Sequence, residues 1–136
     1  MRSASYSRRS LQDAERWARC DANLATVAQW VTRTPWIDFL AGDPAIRSCT
    51  AIQLVFTAPW FTALDRAAQM AAGRRMVAMI EAEGAGFDFA AHRDSPPGLR
   101  IWGGATVEAS DIAALLPWID WAYAEVAGEH AAKAAE

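Results

Sequence analysis

Lysine is almost missing from this sequence. Its thirteen basic residues are twelve arginines and a single lysine, Lys133, so chemistry that needs a lysine amine has one candidate. Cysteine is scarce too, with only Cys20 and Cys49 and no CxxC or Cys/His spacing of the kind that binds metal. Two cysteines without a secretory leader read as free thiols in a reducing compartment. An excess of positive charge is also lacking: the net charge is −3 and the pI about 5.4, which excludes a bulk field for nucleic acid. The pairs Arg8-Arg9 and Arg74-Arg75 are too short to change that and read as solvated faces. No apolar run approaches the roughly 20 residues that cross a bilayer. The Arg/Ser-rich stretch 1–10 has no apolar segment after it and so is no signal peptide. It reads as a flexible flank. The expectation is a soluble, cytoplasmic protein without nucleic-acid or membrane partners.

Apolar material is plentiful. The 136 residues are 53% hydrophobic and include seven tryptophans, enough for one compact domain. A chain of this length buries roughly two-thirds of the surface that it exposes when unfolded.

Periodicity gives the elements. Trp17, Cys20, Leu24, Val27 and Val31 recur at steps of three and four, predicting a helix over 10–32 with Ser10 as N-cap and Pro35 ending it. Residues 36–40 form a short candidate strand. In 49–57, Thr50, Ile52, Leu54 and Phe56 alternate with more mixed residues, the pattern of a half-buried strand. A helix is expected over 62–83, ended by Gly84 and Gly86. Strands are expected at 87–91 and 99–107, the second weakened by Gly103-Gly104. A last helix over 110–127 carries Ile112, Leu115, Ile119, Ala122 and Val126, should be kinked or split at Pro117, and ends at Gly128. The order α-β-β-α-β-β-α predicts an α+β fold, a small, mostly antiparallel sheet with helices on one face. The domain spans 11–128, and 129–136 is a frayed tail.

Candidate chemistry concentrates in 92–104, HRDSPPGLRIWGG. Arg100 stands among Leu99, Ile101 and Trp102, where a guanidinium is costly to bury unless it meets an anion. Its planar fork fits a carboxylate or phosphate. The competing reading is a structural salt bridge to Asp88, Asp94 or Glu108. His92 has no second histidine, nucleophile motif or metal cluster beside it, so no catalytic or metal-binding residue is assigned. Gly103-Gly104 fits no phosphate-binding glycine loop.

The run HRDSPPGLRIWGGATVE at 92–108, with DIAALLPWIDWAYAE at 111–125, RTPWIDFLAGDPAIRSCT at 33–50 and RCDANLATVAQWV at 19–31, resembles the C-terminal part of phosphoserine aminotransferases of one bacterial and archaeal branch. The Gly-Gly usual before the first helix in that family is absent. The resemblance implies the small domain of a homodimeric, pyridoxal-phosphate-dependent enzyme of fold type I, class V. Such an enzyme converts phosphoserine and 2-oxoglutarate to phosphohydroxypyruvate and glutamate in serine biosynthesis. It also implies that Arg100 holds the substrate carboxylate and that His92 and Arg93 lie near the substrate phosphate. The cofactor's Schiff base needs a lysine, and Lys133 follows the last helix rather than a strand, so the large cofactor-binding domain is expected outside this chain. The chain alone is then expected to be inactive and to bind no cofactor. Two other readings stand beside this one. A stand-alone module could bind a small carboxylate effector through Arg93 and Arg100. A structural oligomerisation domain could cover a partner with Trp17, Trp60 and Trp118.

Overall fold

The computed structural model describes residues 4–43, 47–86, 96–104 and 106–135, with side chains from residue 11 onward. The strand expected at 87–91 lies outside these residues. The order of elements is α1 (Ala4–Thr32), β1 (Ile37–Phe39), β2 (Ala51–Phe56), α2 (Pro59–Thr62), α3 (Arg66–Ala82), β3 (Gly98–Trp102) and α4 (Ala109–Ala134).

The three strands form one antiparallel sheet in the order β1-β2-β3. Register follows the two-residue period of the side chains. Ile37 pairs with Phe56, Phe39 with Leu54, Leu54 with Leu99, and Ile52 with Ile101. All of these side chains are buried on one face. Val27 and Trp30 of α1, Met76 and Ile80 of α3, and Ile112, Leu116 and Ile119 of α4 join them in a single core. The protein is therefore α+β, with its helices layered on one side of an antiparallel sheet.

Several local expectations change. Helix α1 begins at Ala4, so Ser10 lies inside it. Its buried stripe is Cys20, Asn23, Val27 and Trp30, while Trp17 is 63% exposed. The same three-and-four spacing, rotated by one position, centres on Asn23 because its amide has partners. Nδ2 donates to the carbonyls of Gly103 at 2.9 Å, Gly104 at 3.3 Å and Val107 at 2.8 Å. Trp30 Nε1 donates to Asp120 Oδ1 at 3.0 Å. With Asn23 beside Val107 and Trp30 beside Asp120, α1 and α4 run side by side in the same direction. The turns of α1 before Cys20 thus extend past the start of α4, and residues 11–19 are all exposed.

The helix expected over 62–83 is two helices. Pro59 starts α2, and Asp65 caps α3 by accepting from Ala68 N–H at 2.8 Å. A favourable N-cap inside a long apolar pattern makes a break cheaper than a continuous rod. Helix α3 closes with a Schellman motif: Gly84 N–H donates to Glu81 O and Ala85 N–H to Ile80 O, with Gly84 at φ +67°. Helix α4 neither splits at Pro117 nor ends at Gly128 but continues to Ala134. Its five expected core positions are all buried. The last expected strand is shorter than its pattern, ending at Trp102, because the Gly103 and Gly104 carbonyls turn to Asn23.

The cysteines are not free. Cys20 of α1 and Cys49, before β2, form a disulfide with Cα atoms 5.3 Å apart and a sequence separation of 29. Their spacing gave no hint of it. Only the sheet, which seats Ile52 beneath α1, brings the segment before β2 against the helix. Closing a loop of this length restricts the unfolded chain by about 3–4 kcal/mol in the chain-entropy account.

Replacing Asn23 tests how far the fold rests on its amide. Asn23→Ala leaves three carbonyls without this donor in a buried site and should lower unfolding free energy by about 2–3 kcal/mol. Asn23→Asp, nearly the same shape but unable to donate when ionised, should lose at least as much. Denaturant titration of the three proteins measures both.

Candidate anion-binding site on β3

Alternation along β3 sends Leu99 and Ile101 into the core and Arg100 and Trp102 to the other face of the sheet. No described helix covers that face. Arg100 is partly buried there, opposite Gln53 of β2, and Trp102, 58% exposed, lies two residues on, opposite Ala51. Asp38 of β1 projects from the same side, but its Oδ1 accepts from Phe39 N–H at 2.8 Å, and the register sets it across from Val55 and then Gly98.

The strand that carries Arg100 is fixed at both ends by glycines. A Cβ on Gly98 would collide with the Leu54 carbonyl of β2. At the other end, a Cβ on Gly103 would come within 2.6 Å of the Cys49 carbonyl and 2.9 Å of Ile52 Cδ1. Gly103 N–H donates to Thr50 O at 2.7 Å, and its carbonyl accepts from Asn23. Pro96 and Pro97 lead into the strand with fixed φ and no donors. Arg100 thus projects from a backbone held at 98 and at 103, a precise platform for a directional ligand contact.

Among the described residues, Arg100 has no hydrogen-bond or ion-pair partner. Glu108, one of its expected salt-bridge partners, is engaged elsewhere. Its carboxylate accepts from the N3 backbone of α4 while Asp111 accepts from Glu108 N–H at 3.3 Å, a reciprocal capping box. Asp88 and Asp94, the other expected partners, lie outside the described residues, as do His92 and Arg93. An arginine without a counter-ion among the described residues, on a rigid strand whose same face carries an exposed indole, can bind a planar anion with two parallel hydrogen bonds.

Two further groups of residues bear on chemistry. Trp60, a candidate for covering a partner in the oligomerisation reading, packs within the chain: its Nε1 donates to Tyr123 Oη at 2.9 Å, and its ring lies 4.7 Å from that of His130 in an aromatic cluster that includes Trp36 and Phe56. Trp118 and Trp121 are partly exposed on α4, their rings edge to face at 5.7 Å. Among the described residues no group of three His, Cys, Asp or Glu side chains could hold a metal ion. No helix is long and apolar enough to cross a membrane.

Pyridoxal phosphate does not fit the residues present. Lys133 is exposed in the last turn of α4, away from every strand end. A cofactor aldehyde there would meet a solvated amine with no cradle around it.

Sequence reading missed Asn23, the glycine contacts and the disulfide. The one available signal was the second three-and-four stripe through Cys20, Asn23, Val27 and Trp30, whose polar member argued against it.

No protein-family model matches the chain. It is similar to curated phosphoserine aminotransferases of Methanosarcina mazei and Methanosarcina barkeri, each 36% identical over 105 residues and 77% of this chain. It spans only 26% of the length of either relative.

Because Arg100 has no protein partner among the described residues, Arg100→Ala should change stability by no more than about 0.5 kcal/mol. A thermal melt of this chain checks it. A loss of several degrees would restore the salt-bridge reading. Across the 105 aligned residues the chain belongs with the phosphoserine aminotransferases, as a segment about a quarter as long as those proteins.

Proposed function

We propose that this chain is the C-terminal, small-domain part of a phosphoserine aminotransferase, and that it supplies substrate contacts to an active site completed elsewhere. The observation that carries this reading is Arg100, unpartnered among the described residues, on a sheet face that no described helix covers, and held by glycine contacts at both ends of its strand. Its role is to hold the α-carboxylate common to phosphoserine, glutamate and their keto acids. His92 and Arg93 are proposed to approach the phosphate. Pyridoxal phosphate, which supplies the electron sink for amino transfer, would be held with its lysine by a large domain outside this chain. A homodimeric, cytoplasmic enzyme of serine biosynthesis is the corresponding whole, with 11–128 as its small domain. The partly exposed Trp102, Trp118 and Trp121 support a surface that other parts of such an enzyme cover.

Two measurements bear on this. The isolated chain should form no stoichiometric Schiff base with pyridoxal phosphate at a defined site. A borohydride-trapped adduct that survives Lys133→Ala, or turnover by this chain alone, would sink the proposal. In the full-length enzyme containing this segment, Arg100→Ala should lower kcat/KM for every amino-acid and keto-acid substrate by about 30- to several-thousand-fold. That corresponds to roughly 2–5 kcal/mol for a charge-assisted, bidentate contact. Arg100→Lys should restore only part, since an ammonium lacks the fork. His92→Ala and Arg93→Ala should penalise phosphorylated substrates more than glutamate. Unchanged kinetics for Arg100→Ala would remove the carboxylate assignment.

A further inference from the structure

The Cys20–Cys49 disulfide stands where three chain segments meet. Cys20 and Asn23 are one turn apart on α1, Cys49 lies in the segment before β2, and Gly103 begins the turn after β3. A Cβ on Gly103 would lie within 3.4 Å of Cys49 O, Ile52 Cδ1 and Asn23 Cβ alike. The disulfide is therefore the covalent member of a junction whose other members are the Asn23 amide and the Gly103–Thr50 hydrogen bond.

Its two halves differ in access. Cys20 is 4% exposed, whereas Cys49 is only partly buried. Beside them a surface groove of about 280 Å³ is lined by Asp13, Arg16, Trp17, Cys20 and Thr50. The groove meets the disulfide at Cys20 and is bordered by the exposed indole of Trp17. A bond sealed in a core would be opened only by unfolding. This one borders a surface groove on its Cys20 side and is only partly buried on its Cys49 side.

We propose that Cys20–Cys49 is a thiol–disulfide exchange site, opened in the folded protein by a dithiol reductant and closed again by a disulfide oxidant. One thiolate of the dithiol attacks the Cys49 sulfur. The Cys20–Cys49 bond breaks, and Cys20 leaves as a thiolate that takes up a proton. The second thiol of the reductant then attacks the mixed disulfide, releasing Cys49 as a thiol and the reductant as its own disulfide. Two electrons pass from dithiol to protein, and the reverse reaction returns them to a disulfide oxidant.

Opening the bond frees Cys49, just before β2, from α1. Next to it Thr50 O accepts from Gly103 N–H, and just after β1 Leu40 N–H is bonded to Gln53 O at 2.9 Å. The hold on the far end of β3 weakens with it, three residues from Arg100. The exchange site itself does not depend on the assignment of Arg100.

The test uses the whole chain, oxidised with glutathione disulfide and then treated with dithiothreitol under native conditions. A chromogenic aryl disulfide should titrate no thiols before reduction and both afterwards. Glutathione disulfide should return the count to zero. Hydrogen exchange at the Leu40 and Gly103 amides should quicken on the order of tenfold on reduction, with Tm falling by roughly 5 °C or more. The double variant Cys20→Ser, Cys49→Ser should ignore dithiothreitol; if it folds poorly, reduced wild type capped with iodoacetamide takes its place as the locked-open form. Two reactive thiols in the oxidised folded protein, reduction only in denaturant, or unchanged exchange at Leu40 and Gly103 would each overturn the proposal.

Discussion

One carboxamide is bonded to three carbonyls. Asn23, fully buried on α1, donates to Gly103, Gly104 and Val107, the turn that carries the chain from β3 into α4. Its nitrogen has two protons for three acceptors, so one of them is shared. Among the described residues its Oδ1 meets no donor. Reversing the amide would aim an oxygen at three oxygens, so the orientation is dictated by the carbonyls. Without this group the turn would leave backbone acceptors without this donor, a cost of about 2–3 kcal/mol against the small net stability of a domain.

The consequences spread from there. Ending β3 at Trp102 leaves Gly103 free to approach the Cys49 carbonyl, which brings Cys49 to Cys20. Directing the chain at Val107 into the Glu108–Asp111 capping box starts α4 alongside α1, and Trp30 then meets Asp120. The capping box in turn engages Glu108, which makes no ion pair with Arg100. The packing at Asn23 and the placing of Arg100 are thus linked through a few residues of backbone.

The two faces of the sheet differ, and no described helix covers the outer one. Its inner face is filled by Ile52, Leu54, Phe56, Leu99 and Ile101, whereas its outer face presents Arg100 and a 58% exposed Trp102. An exposed indole on the same face as an arginine with no partner among the described residues is a surface that a ligand or another protein can meet. The family relationship over a quarter of the relatives' length points the same way.

The sequence by itself determined what is periodic. Alternation at Ile52, Leu54 and Phe56 gave β2 its inner face, and the spacing of Ile112, Leu115, Ile119, Ala122 and Val126 gave α4 its core stripe, because burial repeats with the geometry of each element. The run through 92–108 also carried the family resemblance. Tertiary structure alone decided the rest. Which of two overlapping stripes on α1 turns inward depended on Asn23 finding carbonyls some 80 residues away, and the Cys20–Cys49 bond depended on the sheet bringing distant segments together. Whether Glu108 paired with Arg100 or capped α4 depended on a capping box that local pattern did not rank above a salt bridge. Each of these turns on a contact between residues far apart in the chain, and no period along the sequence encodes such a contact.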